Sequence, residues 1–375
     1  MFNKIRVSKS VLNNEEVKAV SRLILEDGYL GMGREVQKFE EDLKSFLNTK
    51  RKVVCVNTGT AALHLAVASV TKPGDEVLVQ SMTYLASFQA ITAARAVAVA
   101  CEINPKTMTI DLKDAEERIT SRTKAIMPVH YAGDPGNLNE IYKFAKKHNL
   151  RVIEDAAHAF GTVYKKKMIG SFGDIVCFSF DGIKNITSGE GGAVVTADSK
   201  VAQYVQDARL LGVHKDTEKR YKGLRSWKFD VTYQGYRYHI SNLFAAIGRV
   251  QLRKFPLFKR NRQYLAKRYL GLLKNIKGIE VFEKNYDDVV PHIFPIKVMN
   301  NKRGELLKYL GDNNVECGIH YYPNHLLSYY KSGPLSVTEI VYKQLLTLPL
   351  HPDLTKVQQD KIINLIKKFY DKNIR

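Results

Sequence analysis

The stretch FSFDGIKNITSGEGGAVV, residues 178–195, runs from an apolar strand-like segment through one lysine and a Ser/Thr/Gly-rich turn into a second apolar strand. A charged amine between two buried strands is costly unless it is paired or used chemically. Alone, Lys184 reads as a solvated loop lysine. Its surroundings change that reading.

Outward from this stretch, short apolar runs alternate with amphipathic segments, the pattern of an α/β domain. The runs occupy 52–56, 75–79, 96–103, 123–131, 150–157, 175–180 and 191–197, and helical spacing covers 137–149 and 241–255. QYLAKRYLGLLKNI (263–276) reads as the start of further structure. LTKVQQDKIINLIKKFY (354–370) reads as a closing helix, with Thr355 and Gln358 as a capping box. The expected division is a large domain over 1–250 and a smaller α/β domain over 251–375. No GxGxxG follows a strand, so the dinucleotide-binding fingerprint is missing.

The chain has 375 residues, 45% of them hydrophobic, enough for a large core. Its apolar runs are about four to eight residues long, far short of the roughly twenty that span a bilayer. Cys55, Cys101, Cys177 and Cys317 lack metal spacing and the density of a disulfide scaffold. No metal site and no membrane association are expected, and the amino terminus has no apolar signal region. A cytoplasmic protein is the expectation. The formal charge of +20 comes from 58 Lys and Arg against 38 Asp and Glu, spread along the chain. Zinc-finger spacing, RNP-type aromatics and basic zippers are absent. A phosphorylated small substrate therefore fits the charge better than nucleic acid. The densest basic segment is 214–228, with six Lys/Arg against two acids.

Three features lie at the carboxyl ends of the expected strands, where open α/β sheets bind ligands. NTGTAAL (57–63) is a small turn opening a helix, and its free N–H groups and the Thr60 hydroxyl can reach a phosphate. In VIEDAAHAFG (152–161) a carboxylate at a strand end can keep a ring nitrogen protonated. The third is Lys184, whose amine, partly desolvated, becomes nucleophilic toward an aldehyde. Ser179 sits at the end of the preceding strand. A phosphate cradle, an Asp for a pyridine nitrogen and a Schiff-base lysine are together what pyridoxal phosphate requires.

The chain also resembles the DegT/DnrJ/EryC1/StrS family of sugar-nucleotide aminotransferases, a branch of the fold-type I pyridoxal-phosphate enzymes. The likeness covers nearly the whole chain. It is carried in order by GYLGMGREVQKFE, NTGTAALHLA, PVHYAGDPGNL, IEDAAHAFG, GSFGDIVCFSFDGIKNITSGEGG, GYRYHISNLFAAIGRVQL and LPLHPDLT. The resemblance implies a large, mostly parallel seven-stranded sheet domain with a smaller carboxyl-terminal α/β domain. It implies that Lys184 forms the covalent link to the cofactor and shuttles protons, and that Asp155 pairs with the pyridine nitrogen. Thr60, Ala61 and Ser179 would bind the phosphate, and Tyr84 would stack on the ring. His158 would lie near the ring hydroxyl, where many members carry Gln, a difference that inclines the reading toward C4 amination. Arg237 stands where many members carry an Asn that reaches the partner subunit's cofactor phosphate, which implies a homodimer with shared sites. Tyr29, His320 and Tyr321 are candidate substrate contacts, and the 214–228 segment is a candidate for the substrate diphosphate. The implied reaction moves the amine of L-glutamate onto a nucleoside-diphosphate-linked 4-keto-6-deoxy (or 3-keto) sugar for O-antigen or other surface glycans. Two alternatives stand beside it. One is a family dehydratase, which would carry histidine in place of Lys184; the other is a non-catalytic or regulatory protein of the same fold.

Overall fold

A computed structural model describes residues 4–372. Its centre is a seven-stranded sheet built from β1 (Lys52–Val56), β2 (Glu76–Gln80), β3 (Val97–Cys101), β4 (Thr123–Met127), β5 (Arg151–Asp155), β6 (Ile175–Ser179) and β7 (Gly192–Thr196). These are the seven runs expected from the sequence. The 123–131 run stops early because Pro128 has no N–H to give a ladder and 131–133 turns as a short 3₁₀ helix. The order is β1-β7-β6-β5-β4-β2-β3, parallel throughout except for β7, which is antiparallel to both neighbours.

Successive strand residues point to opposite faces. Val53, Leu78, Ile126, Val152, Val176 and Val195 enter one core, with Phe39, Phe160, Phe178 and Phe255. Val54, Val77, Ala125, Ile153, Cys177 and Val194 enter the other. Helices cover both faces, which is why these strands are apolar on both sides instead of alternating. On the first face lie α2 (Arg34–Phe46) and α5 (Leu138–Lys147), while α1 (Asn14–Arg22) packs on the 242–273 helix and not on the sheet; on the second lie α3 (Gly59–Ala68), α4 (Leu85–Ala93) and α6 (Ser199–Ala208).

Helix α7 (Asn242–Leu273) is a single 32-residue helix capped by Ser241. It joins the segments read separately as 241–255 and 263–276. Pro256 removes one helical donor, yet Phe255 and Phe258 on either side of it are buried and hold the helix through the interruption. The expected division at residue 250 falls inside α7. The second half of α7, through Leu265, Tyr269 and Leu273, enters a third core with β8 (Ile279–Val281), β9 (Phe294–Val298), β10 (Leu345–Leu348) and the closing helix α8 (Lys356–Lys372). Ile5 joins that core and bridges Val315. The capping box of α8 forms, with Thr355 N donating to Gln358 Oε1 (3.0 Å) and Gln358 N to Thr355 Oγ1 (3.2 Å).

Parallel pairing and the reversed β7 place the carboxyl ends of β1, β2, β4, β5 and β6 along one sheet edge. Because β6 and β7 are antiparallel neighbours, the segment between them needs no crossover. Lys184 therefore stays at that edge.

Candidate active site

The turn after β1 is built for close approach. Thr58 caps α3 by accepting from Ala61 N (2.9 Å), and a Cβ on Gly59 would stand 2.6 Å from Ser179 Cβ. Only glycine lets the turn meet the end of β6. A Cβ on Gly192 would likewise stand 2.5 Å from Thr58 O. The cap uses the Ala61 N–H, so the free donors of the first helical turn are those of Gly59 and Thr60, beside Ser179. Ala61 was expected among the phosphate ligands; here its amide is spent on the cap.

The two acids of β5 separate by strand alternation. Glu154 faces away, bonded to Tyr142 Oη (2.6 Å) with His130 Nε2 at 3.2 Å. Asp155 faces the sheet edge, buried, accepting from Ser87 Oγ (2.7 Å) and Ala157 N (3.2 Å). Thr83 Oγ1 lies 3.0 Å from Ser87 Oγ and holds it in turn. Burial pushes the Asp155 carboxyl above the usual carboxylate range, against the pull of these donors and of Lys184.

Lys184 enters the same space, its Nζ 3.5 Å from His292 Nε2. Burial lowers its pKa below that of an ordinary lysine; Asp181 and Asp155 oppose the shift and Arg262 adds to it. The His158 and His292 rings lie 4.5 Å apart, and Tyr321 Oη sits 3.0 Å from His158 Nε2. Burial first, then the Lys184 charge, pushes both imidazoles far below their ordinary pKa, so both are neutral. His320 bonds Thr347 Oγ1 (2.9 Å) and is pushed down to about 4, mainly by burial. Tyr84 is 59% exposed, with its ring 5.7 Å from that of Tyr321, free to cover a flat ligand.

Thr60, Tyr84, Asp155, His158, Ser179, Lys184, His320 and Tyr321 thus line one cavity of about 490 Å³. Pyridoxal phosphate fits it on several counts. Gly59 lets the turn close onto the end of β6, and this sets two free amides beside the Ser179 hydroxyl, a group of donors that suits a phosphate. His158 Nδ1 is buried without a partner, facing a site that can supply one. His292, Ser87 and Thr83 carry no signal of their own in the sequence.

Tyr29 and Arg237 are not brought to this cavity within the chain. They line a second one, of about 230 Å³, with Arg220, Arg225 and His239. The 214–228 segment forms a wall of it and is partly structured, with Asp216 holding Arg220 (2.5 Å) and Ser226 (2.7 Å). Among the described residues no group of His, Cys, Asp and Glu is placed to hold a metal ion, and no helix is long and apolar enough to cross a membrane.

Residues 11–367 match the model of the DegT/DnrJ/EryC1/StrS aminotransferase family. The spore coat polysaccharide biosynthesis protein SpsC of Bacillus subtilis is 34% identical over 373 residues, covering 96% of this chain and 95% of that protein. Among solved structures, Helicobacter pylori PseC, an aminotransferase involved in the biosynthesis of pseudoaminic acid, superposes with a TM-score of 0.91 at 26% identity, over 99% of this chain and 100% of that one. The putative sugar aminotransferase Spr1654 of Streptococcus pneumoniae, in its PMP form, gives 0.90 at 27% identity, over 99% and 98%.

Proposed function

The chain belongs to the DegT/DnrJ/EryC1/StrS aminotransferase family, and from that premise we propose that it moves the amino group of L-glutamate onto a keto sugar carried by a nucleoside diphosphate. It is an enzyme of the transaminase class and uses pyridoxal phosphate. The observation that carries the reading is the convergence of Lys184 and Asp155 on one cavity beside the Gly59–Ser179 cradle.

Bound pyridoxal phosphate supplies an aldehyde that primary amines can occupy in turn and a ring that stores the electron pair left when an adjacent carbon loses its proton. The protein's residues do the rest. Lys184 would hold the group through its amine and, with that amine free, would hold or move a proton at Nζ. Asp155, buried and oriented by Ser87, keeps a proton on the ring nitrogen by charge pairing. Ser179 and the amides of Gly59 and Thr60 anchor the phosphate through the positive end of α3. Tyr84 would cover the ring, and His158, which lines the same cavity, would stand near the ring hydroxyl.

The acceptor is read as a 4-keto-6-deoxy sugar, with a 3-keto sugar as the alternative. SpsC, named for spore coat polysaccharide biosynthesis, supports a product destined for O-antigen or other surface glycans, and the reaction is read as cytoplasmic. The working unit is a homodimer in which Arg237 reaches the partner's cofactor phosphate. Support for this comes from the position of Arg237 in a basic cavity apart from the Lys184 cavity of its own chain. The 214–228 segment, in the same wall, is assigned to the substrate diphosphate.

The test is the visible absorption spectrum of the purified protein before and after L-glutamate, followed by a panel of keto-sugar nucleotides. A yellow band that glutamate converts to the pyridoxamine form, and a keto-sugar nucleotide reverses, is the expected result. A band indifferent to glutamate would overturn the donor assignment, and a Lys184→Ala protein with an unchanged band would overturn the assignment of Lys184.

A further inference from the structure

Among the described residues two arginines are fully buried, and they are held in opposite ways. Arg209 pairs with Glu40 (2.6 Å) and bonds Tyr221 Oη (3.0 Å) and Cys55 O (2.5 Å). Arg262, 1% exposed on α7, ion-pairs with no carboxylate among the described residues. Its Nη1 donates instead to the carbonyls of His292 (3.0 Å), Leu350 (3.3 Å) and Pro291 (3.4 Å), and its Nε has no partner. A guanidinium stays protonated in proteins, and burying it uncompensated is unfavourable where an apolar side chain of the same size would pack. Its position suggests what it does there. Pro291 and His292 form the loop leading into β9, and the face of that loop opposite Arg262 presents the His292 imidazole to Lys184. Arg262 and Lys184 line one narrow crevice with Asn185, Gln251 and Phe258.

We propose that Arg262 is a positioning residue for the reactive lysine: its guanidinium pins the 291–292 loop so that His292 Nε2 stands beside Lys184 Nζ, and it sets a positive charge behind the amine that no carboxylate cancels. The inference rests on the reading of Lys184 as the reactive amine. Around Lys184, Asp181 and Asp155 favour an ammonium, Glu190 lines the same cavity, and burial pushes the Tyr321 hydroxyl's pKa well up. Burial and Arg262 work the other way, and the amine's pKa falls below the ordinary lysine value. The same surroundings push His292, His158 and His320 toward the neutral form, and a neutral His292 ring can stand 3.5 Å from the Lys184 amine without charge repulsion. The lysine displaced during turnover is thereby aimed, with its neutral form favoured over that of an ordinary lysine.

The test reads the amine itself, without turnover. The full chain, stripped of cofactor and shown to be folded by circular dichroism, is acetylated with trace acetic anhydride across pH, and the Lys184 peptide is quantified by mass spectrometry. Wild-type Lys184 is expected to half-titrate well below an ordinary lysine. Arg262→Gln keeps a donor for the carbonyls but removes the charge, and is expected to raise that point by about one pH unit, about tenfold less neutral amine at a given pH. Arg262→Lys, whose ammonium has three donors for the three carbonyls, is expected to restore it. In the holoenzyme, the pH at which the cofactor's visible band changes should move in the same direction. An unmoved Lys184 in folded Arg262→Gln overturns the proposal, as does failure of Arg262→Lys to differ from it. If neither variant folds, the wild type decides: a Lys184 that labels like a surface lysine overturns it. Amino transfer that persisted in Lys184→Ala would instead sink the functional reading, and would leave this titration readable.

Discussion

At the scale of single residues, the site depends on which atoms a short strand end presents. Asp155 and Glu154 are adjacent, yet alternation sends one carboxylate to the cavity and the other to a buried cluster with Tyr142 and His130. The Asp155 carboxyl is already pushed upward by burial, so its charged form depends on a cationic partner. Asp155→Asn should therefore bind the cofactor but lose the charge that holds the ring nitrogen's proton. We expect kcat to fall by about 10²–10³-fold with the fold intact, measured as the single-turnover rate with glutamate. A variant within twofold of wild type would remove Asp155 from the mechanism. Lys184, Asp155 and Ser179 were legible in the sequence because each ends or follows an apolar strand. His292 was not, because it stands 108 residues from Lys184 and only folding brings the two within 3.5 Å.

At the scale of elements, buried polar contacts fix how helices seat on the sheet. Glu40 on α2 bonds Cys55 N of β1 (2.8 Å), Arg209 at the end of α6 and the Tyr221 hydroxyl, so one carboxylate ties three elements together. Glu40→Ala would leave Arg209 buried without its counter-ion. The expected cost is about 3–5 kcal/mol, seen in thermal melts as a Tm lower by at least about 5 °C. A Tm within a degree of wild type would mean that water or a rearranged neighbour replaces the carboxylate. The helix cap at Thr355 was readable from local residue types, since a cap needs only its own first turn. The length of α7 was not, because a proline inside a helix is tolerated only when tertiary packing holds both flanks.

At the scale of the whole molecule, the proposed sharing of sites between two subunits has a direct consequence. Lys184→Ala and Arg237→Ala should each be inactive alone. Mixed and allowed to exchange subunits, they should recover about a quarter of wild-type sites, because each heterodimer rebuilds one complete site. No recovery after verified subunit exchange would place Arg237 outside the partner's site. A second consequence concerns acid. Burial holds His239, His320 and His351 at about 4 in the folded protein, whereas the unfolded chain titrates them near 6.5. The unfolded state therefore binds more protons between those values, and this contribution to stability is complete above about pH 6.5 and is lost as pH falls toward about 4. Melts in matched ionic strength should show Tm falling across that window; a Tm flat from pH 7 to 4.5 would contradict the burial of these rings.

The sequence by itself determined the α/β class, the seven strands, the family, the cofactor and the Lys184–Asp155 pair. Each of those rests on patterns a few residues long, apolar runs ended by small turns, whose physical meaning is local. Tertiary structure alone decided the strand order, the reversed β7 that keeps Lys184 at the binding edge, and the separation of Tyr29 and Arg237 from the Lys184 cavity. It also decided the histidines around the amine and the unpaired charge of Arg262 behind it. Long-range contacts of this kind depend on which surfaces pack together, and a linear pattern does not encode the packing partner.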